Sequence, residues 1–234
     1  MKSYPFLVMP VLLAIMLPLI ITSCKKEAKP DLQNKSVITG TPEHKTVVLW
    51  ADENALRASN TEINLGIRNG NTNASVYPVS ELDVFAWTVQ GQPVTMRSLI
   101  KFYGIPSLGT PPTAAYLTLF SHPDPSNGDQ IHANYGTNNA FYIRRVTNTW
   151  TPTTTTWFNQ PATTTVGQVL VPHTNDGYRD LLQINVTQIV RDCFTSGNYG
   201  FLLQLQNEST YNSRIFRHSA DADFSKRPYL TLVF

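Results

Sequence analysis

Residues 199–206 read Tyr199-Gly200-Phe201-Leu202-Leu203-Gln204-Leu205-Gln206. Successive side chains of a strand point to opposite faces, so Tyr199, Phe201, Leu203 and Leu205 make one continuous apolar face. The last six positions repeat the pattern, with Leu230, Leu232 and Phe234 alternating with Tyr229, Thr231 and Val233. Working outward, short apolar runs occupy residues 47–50, 82–89, 98–103, 116–120, 141–146 and 181–185. Turn-forming clusters part them: Arg68-Asn69-Gly70-Asn71, Gly109-Thr110-Pro111-Pro112, Pro125-Ser126-Asn127-Gly128 and Ser196-Gly197-Asn198. Many short strands with long loops predict an all-β fold, a sandwich or a barrel, over residues 45–234.

One segment breaks the two-residue period. Val186, Ile189, Val190, Cys193 and Phe194 recur at helical spacing, which predicts a short amphipathic helix near residues 186–194. Asn185 is placed to cap it, with Gln188 three residues on, and Gly197 lies just past its end. Cys193 then points into the core as a small apolar side chain rather than a reactive thiol. The Thr-rich stretch 147–165 contains Trp150, Trp157 and Phe158, so it reads as a packed loop or edge strand.

The composition fits this reading. Of 234 residues 41% are hydrophobic and only 15% charged, which is unlike a disordered chain. A net charge of +2 implies no broad attraction to nucleic acid.

The N-terminus reads as an address. Lys2 precedes an apolar run, and Ile21-Thr22-Ser23-Cys24 then resembles a bacterial lipobox. The resemblance implies a lipoprotein signal peptide over residues 1–23 and lipidation of Cys24. That places the protein in the bacterial cell envelope, anchored by lipid, at the outer membrane or cell surface. Cys24-Lys25-Lys26-Glu27 resembles the mature start of lipoproteins of the Bacteroidota. Residues 24–44 are polar and read as a flexible tether. With Cys24 carrying lipid, Cys193 has no disulfide partner among the two cysteines.

A wider resemblance rests on pieces that occur in order. They are Arg97-Ser98-Leu99-Ile100-Lys101-Phe102, Ala115-Tyr116-Leu117-Thr118-Leu119, and Trp150 followed by Thr156-Trp157-Phe158-Asn159-Gln160-Pro161. Then come Asn185-Val186-Thr187, Asn198-Tyr199-Gly200-Phe201-Leu202-Leu203 and Arg227-Pro228-Tyr229-Leu230-Thr231-Leu232. Together they resemble the DNRLRE domain, a family of secreted β-sandwiches that includes alginate-binding carbohydrate modules. The resemblance implies a jelly-roll-like β-sandwich and a polysaccharide partner. Thr151-Pro152 stand where the family often has an acidic residue. Trp157, Pro161, Tyr199 and Phe201 read as core and turn residues. Arg97 and Lys101 share a strand face with Leu99 and read as cover for the sheet.

The chemistry-bearing residues point to binding rather than catalysis. No Gly-x-Ser-x-Gly, phosphate-loop or His-Glu-x-x-His motif occurs. His122, Asp124, Asp129 and His132 cluster in one loop, which reads as solvated. Asp221 and Asp223 offer hard oxygens, so a structural calcium ion stays open, and no other cofactor is implied. Paired carboxylates set by space rather than sequence keep a polysaccharide-active enzyme open as an alternative. A saccharide site needs flat aromatic faces and charged or amide groups. The candidates are Tyr135, Tyr142, Arg144, Arg145, Tyr178, Arg179 and Tyr211. If Phe141 and Ile143 face the core, Tyr142 and Arg144 face out. Guanidinium forks match carboxylates, so an acidic glycan such as alginate suits. The reading is a non-catalytic, lipid-anchored, polysaccharide-binding protein, with a structural or adhesive module as its first alternative.

Overall fold

The computed structural model describes residues 36–40, 45–50, 62–68, 72–76, 79–105 and 108–234. The expected signal segment, Cys24 and most of the expected tether lie outside the described residues. In chain order the strands are β1 (Ser36–Thr39), β2 (Thr46–Trp50), β3 (Glu62–Arg68), β4 (Thr72–Val76), β5 (Leu82–Val89), β6 (Gln92–Ile100) and β7 (Ala114–Leu119). They continue with β8 (Asn134–Tyr135), β9 (Phe141–Val146), β10 (Thr163–Val171) and β11 (Leu181–Asn185). Helix α1 (Thr187–Ser196) follows, then β12 (Phe201–Leu205), β13 (Asn212–Phe216) and β14 (Tyr229–Val233).

These strands form an all-β sandwich of two antiparallel sheets. The smaller has the order β1-β2-β14-β7-β11. The larger runs β10-β9-β12-β6-β5-β13-β8, with β3 paired to β6 and β4 to β3. β6 meets β5 through Gln92–Met96 and β12 through Ser98–Ile100. β5 turns into β6 through Gln90-Gly91, both at positive φ (51° and 75°), the backbone that a two-residue hairpin needs to match strand twist. The tether reading of residues 24–44 meets a difference at Ser36–Thr39, which pairs with β2 in the register Ile38↔Val47. Val37, Ile38 and Thr39 are β-branched, a composition that favours pairing over free tether.

Alternation fills the space between the sheets. Val47, Leu49, Leu117, Leu119, Leu230 and Leu232 face inward from the smaller sheet. Val84, Ile100, Phe141, Ile143, Phe201, Leu203 and Phe216 meet them from the larger. Val186, Ile189, Val190 and Cys193 complete this core from the α1 segment, as their spacing predicts. The cap differs from expectation. Val186, not Asn185, holds the cap position and makes no side-chain cap bond. Val186 is drawn into the core, and its N–H donates to Ala115 O at 2.9 Å. Asn185 stays on β11, where its Oδ1 accepts from Thr187 N at 3.1 Å.

The outward face of the larger sheet carries two further apolar clusters. Leu65, Leu99, Val146 and Leu202 are covered by Trp150, Trp157 and Tyr199. Tyr199 therefore leaves the inward face expected for it and joins this cover, its carbonyl accepting from Trp150 Nε1 at 2.7 Å. The Thr-rich stretch thus folds over the sheet and ends in β10, an edge strand. Phe85, Met96, Ala133 and Ile215 form the other cluster, with Trp87 and Val94 against it.

Candidate functional site

Strand alternation decides which candidates share a surface. On β9, Phe141 and Ile143 are fully buried while Tyr142 and Arg144 are half-buried on the opposite face. The Arg144 guanidinium lies 4.8 Å from the Tyr142 ring centroid. Arg144 Nε donates to Gln168 Oε1 at 2.9 Å, and Nη1 donates to Gln204 Oε1 at 3.1 Å. Gln206 Nε2 donates to Tyr142 Oη at 3.2 Å. Three amides from β10, β12 and the segment after it therefore hold an aromatic ring and a guanidinium in one outward cluster.

Arg145 does not join them. It follows the alternation to the side of Phe141 and Ile143, with its Nε buried and without a hydrogen-bond partner among the described residues. Tyr178 and Arg179 sit in the connection between β10 and β11. Tyr178 Oη donates to Ile131 O, and its ring lies 5.7 Å from that of His132. Arg179 lines a cleft at the edge of the sandwich.

One exposed aromatic grouping has a member that the sequence reading passes over. Trp87 lies on the outward face of β5, since Leu82, Val84 and Ala86 face the core. Tyr135 meets Trp87 at 5.3 Å and 76°, and Tyr211 meets it at 5.1 Å and 88°. Such edge-on contacts contribute about 0.5–1.5 kcal/mol each beyond area burial. Tyr135 and Tyr211 remain 42% and 53% exposed, so their rings stay available to a partner. Gly136 makes this possible: at φ +94° a Cβ there would collide with the Tyr211 carbonyl and Asn212. Only glycine lets the two tyrosine-bearing segments approach so closely. The connection from β12 to β13 joins both clusters, with Gln206 bonded to Tyr142 at one end and Tyr211 against Trp87 at the other.

Other charged residues have structural duties. Arg97 lies 4.3 Å over Trp157 and holds Glu208 with two bonds, Nε to Oε1 at 2.7 Å and Nη2 to Oε2 at 2.8 Å. Lys101 Nζ lies 4.9 Å from the Tyr103 ring centroid, and burial pushes the Lys101 amine down. Asp221 accepts from Arg217 at 2.8 and 2.9 Å, and Asp223 Oδ1 accepts from Ser225 N at 3.0 Å, so both carboxylates that offered hard oxygens already have protein donors. His132 pairs with Asp129 at 2.8 Å while His122 approaches Glu81 at 3.9 Å, so that loop divides between two partners. Among the described residues, no three His, Cys, Asp or Glu side chains converge.

One carboxylate pair is close, but it is sealed. Glu81 and Asp83 are 1% and 2% exposed. Asn127 Nδ2 donates to Glu81 Oε1 at 2.8 Å and approaches Asp83 Oδ2 at 3.2 Å, and Asn64 Nδ2 donates to Asp83 Oδ2 at 2.8 Å. Burial first, and then the Glu81 charge, pushes the Asp83 carboxyl well above the ordinary carboxylate range. Ser126 N also donates to Glu81 Oε2 at 2.9 Å, so the loop after β7 covers the pair.

The chain has no significant match among curated proteins. The family model for carbohydrate-binding module family 96 matches residues 67–234, a span that takes in both outward clusters and most of the sandwich. The chain belongs to carbohydrate-binding module family 96.

Proposed function

We propose that this protein is a non-catalytic, lipid-anchored module of the bacterial cell envelope that captures polysaccharide along the outward face of its larger sheet. Its preferred ligand is an acidic glycan such as alginate. The observation that carries this reading is the Tyr142–Arg144 cluster with Gln168, Gln204 and Gln206 around it. An aromatic face suits sugar C–H groups, amides suit hydroxyls, and a guanidinium suits a carboxylate. Trp87, Tyr135 and Tyr211 extend the aromatic surface for further sugar rings. The likeness to the DNRLRE domain supports the same ligand class. Burial of Glu81 and Asp83 supports binding without hydrolysis.

Calorimetry against alginate, pectin and neutral glucans tests the ligand. Binding to the acidic polymers should weaken as salt rises, because exposed charge pairs are screened over about 8–10 Å at moderate ionic strength. Arg144→Ala should cost about 1.5–3 kcal/mol of binding, as expected for a charge-assisted hydrogen bond, with an unchanged melting temperature. Binding to neutral glucans alone overturns the acidic preference. Acyl labelling of wild type and Cys24→Ala tests the anchor, and equal labelling of the two sinks it.

A further inference from the structure

Where β10 and β11, the edge strands of the two sheets, face one another, a cleft of about 280 Å³ opens. Its lining includes Leu170, His173, Thr174, Arg179, Leu182 and Arg214. Arg214 is fully buried on β13, its Cζ lying 5.2 Å from the Phe141 ring centroid. Nη1 donates to Pro172 O at 3.2 Å. Nε and Nη2 have no hydrogen-bond partner among the described residues. A buried cation without a counter-ion is costly, and the site shows the strain. Burial, and then the Arg179 charge, pushes the Arg214 guanidinium down to about 10. Asp180 lines the same cleft but does not neutralise it. Its Oδ1 accepts from Ser121 N at 2.9 Å, and its Oδ2 lies 3.7 Å from Lys226 Nζ.

The two unsatisfied nitrogens define the missing group. Nε–H and Nη2–H lie along one edge of a guanidinium and point in parallel, which matches the two oxygens of a carboxylate. Arg97 uses these same two nitrogens to hold Glu208 in this protein. Arg214 has the same edge without an acid on it. Leu170 and Leu182, 47% and 63% exposed, supply apolar faces beside the cleft. The volume is below the ~300–1,000 Å³ of pockets for drug-sized ligands and suits one sugar ring.

We propose that this cleft is a second binding site, which takes a single terminal uronate residue of a glycan by a bidentate bond from its carboxylate to Arg214. The exposed Arg179 side chain forms the outer wall, and its rotation admits the sugar and adds a second charge-assisted contact. The inference rests on the carbohydrate-binding reading and adds where a chain end is held. The outward Tyr142–Arg144 face is, in the parent reading, the place for the middle of a chain.

The test is calorimetry on the full chain with a trisaccharide of uronic acids, its carboxyl-reduced neutral form, and inorganic sulfate as competitor. The uronate trisaccharide should bind and raise the melting temperature, while the neutral form should bind at least ten-fold more weakly. Arg179→Ala and Leu182→Trp, both at exposed positions, should weaken trisaccharide binding about ten-fold or more; the tryptophan blocks the cleft. Arg214→Lys keeps the charge without the fork and should abolish the trisaccharide-induced rise in melting temperature. Affinity per chain end should not grow with chain length. Sulfate displacing the trisaccharide at equal concentration overturns the proposal in favour of a simple anion site. Unchanged trisaccharide affinity in both Arg179→Ala and Leu182→Trp, with polymer binding intact, overturns this site alone. Failure of the wild type to bind any glycan overturns the parent reading as well.

Discussion

The ring of Tyr211 stands edge-on to that of Trp87, 5.1 Å away and at 88°, although the two residues come from different segments of the chain. Tyr211 holds this position at a φ of 70°, a left-handed conformation that non-glycine residues rarely adopt. Strain of this kind persists where the surroundings fix it, and it commonly accompanies function.

Removing the tyrosine separates binding from stability. Tyr211→Gly deletes the ring and fits the positive φ, so the melting temperature should stay near that of wild type while polysaccharide affinity falls. Trp87→Ala should lower affinity by about 2 kcal/mol or more, as aromatic anchors do, and should also lower the melting temperature, because Trp87 packs against the cluster of Phe85, Met96, Ala133 and Ile215. Calorimetry with alginate and thermal melts check both. Equal affinity in Tyr211→Gly and wild type would take Tyr211 off the binding surface.

Asp83 gives the stability of the protein a pH dependence with a definite sign. Its carboxyl is pushed well up in the folded protein, by burial first and then by Glu81, so the native state holds the proton more tightly than the unfolded chain. The contribution is fully present below the ordinary carboxylate pKa and is lost as pH rises through the folded value. Asp83→Asn keeps an acceptor for Asn64 and removes the titration. Its melting temperature at pH 7 should match or exceed that of wild type, and its dependence on pH from 4 upward should be flatter. Parallel melting curves for the two proteins across that range would refute the assignment.

The helix offers a third check. Val190 is fully buried and Cys193 is 1% exposed. Val190→Asp places an uncompensated charge in the core and should cost about 3–5 kcal/mol. Burial pushes the Cys193 thiol up to about 11, and only the thiolate attacks. A thiol reagent at pH 8 should therefore label Cys193 far faster in denaturant than in buffer. Comparable rates would mean that this face is open.

The sequence made the inward-facing strands legible because alternation leaves a mark wherever one face is apolar. Phe141 and Ile143 against Tyr142 and Arg144 are the clearest instance. β13 escaped the same reading. Asn212, Ser213 and Arg214 are buried there, but their polarity hides it, and part of their satisfaction comes from distant groups such as Asn138 N and Pro172 O. The threonines of β10 mask it, and the first half of β6, residues 92–97, escapes notice because Gln90-Gly91 is an inconspicuous hairpin signal. Adjacency groups Arg145 with Arg144 in the sequence, whereas the two-residue period separates neighbours onto opposite faces. Trp87 carried no distinguishing mark within its strand. Its importance arises only when β8 and the segment before β13 bring Tyr135 and Tyr211 beside it.

The placement of β14 has a consequence for how the molecule is made. β14 lies between β2 and β7, pairing Tyr229 with Trp50 on one side and with Thr118 on the other. β2 and β7 have no ladder with each other, so nothing joins the two halves of the smaller sheet until β14 arrives. Closure of that sheet therefore waits for residues that the ribosome adds after every other described strand of the sheet. Pairings of such wide sequence separation also form slowly, since loop closure must precede the contacts that reward it. During that interval Leu117 and Leu119 on one side, and Val47 and Leu49 on the other, lack the strand that unites them. The growing chain is then most exposed to mispairing with copies of itself.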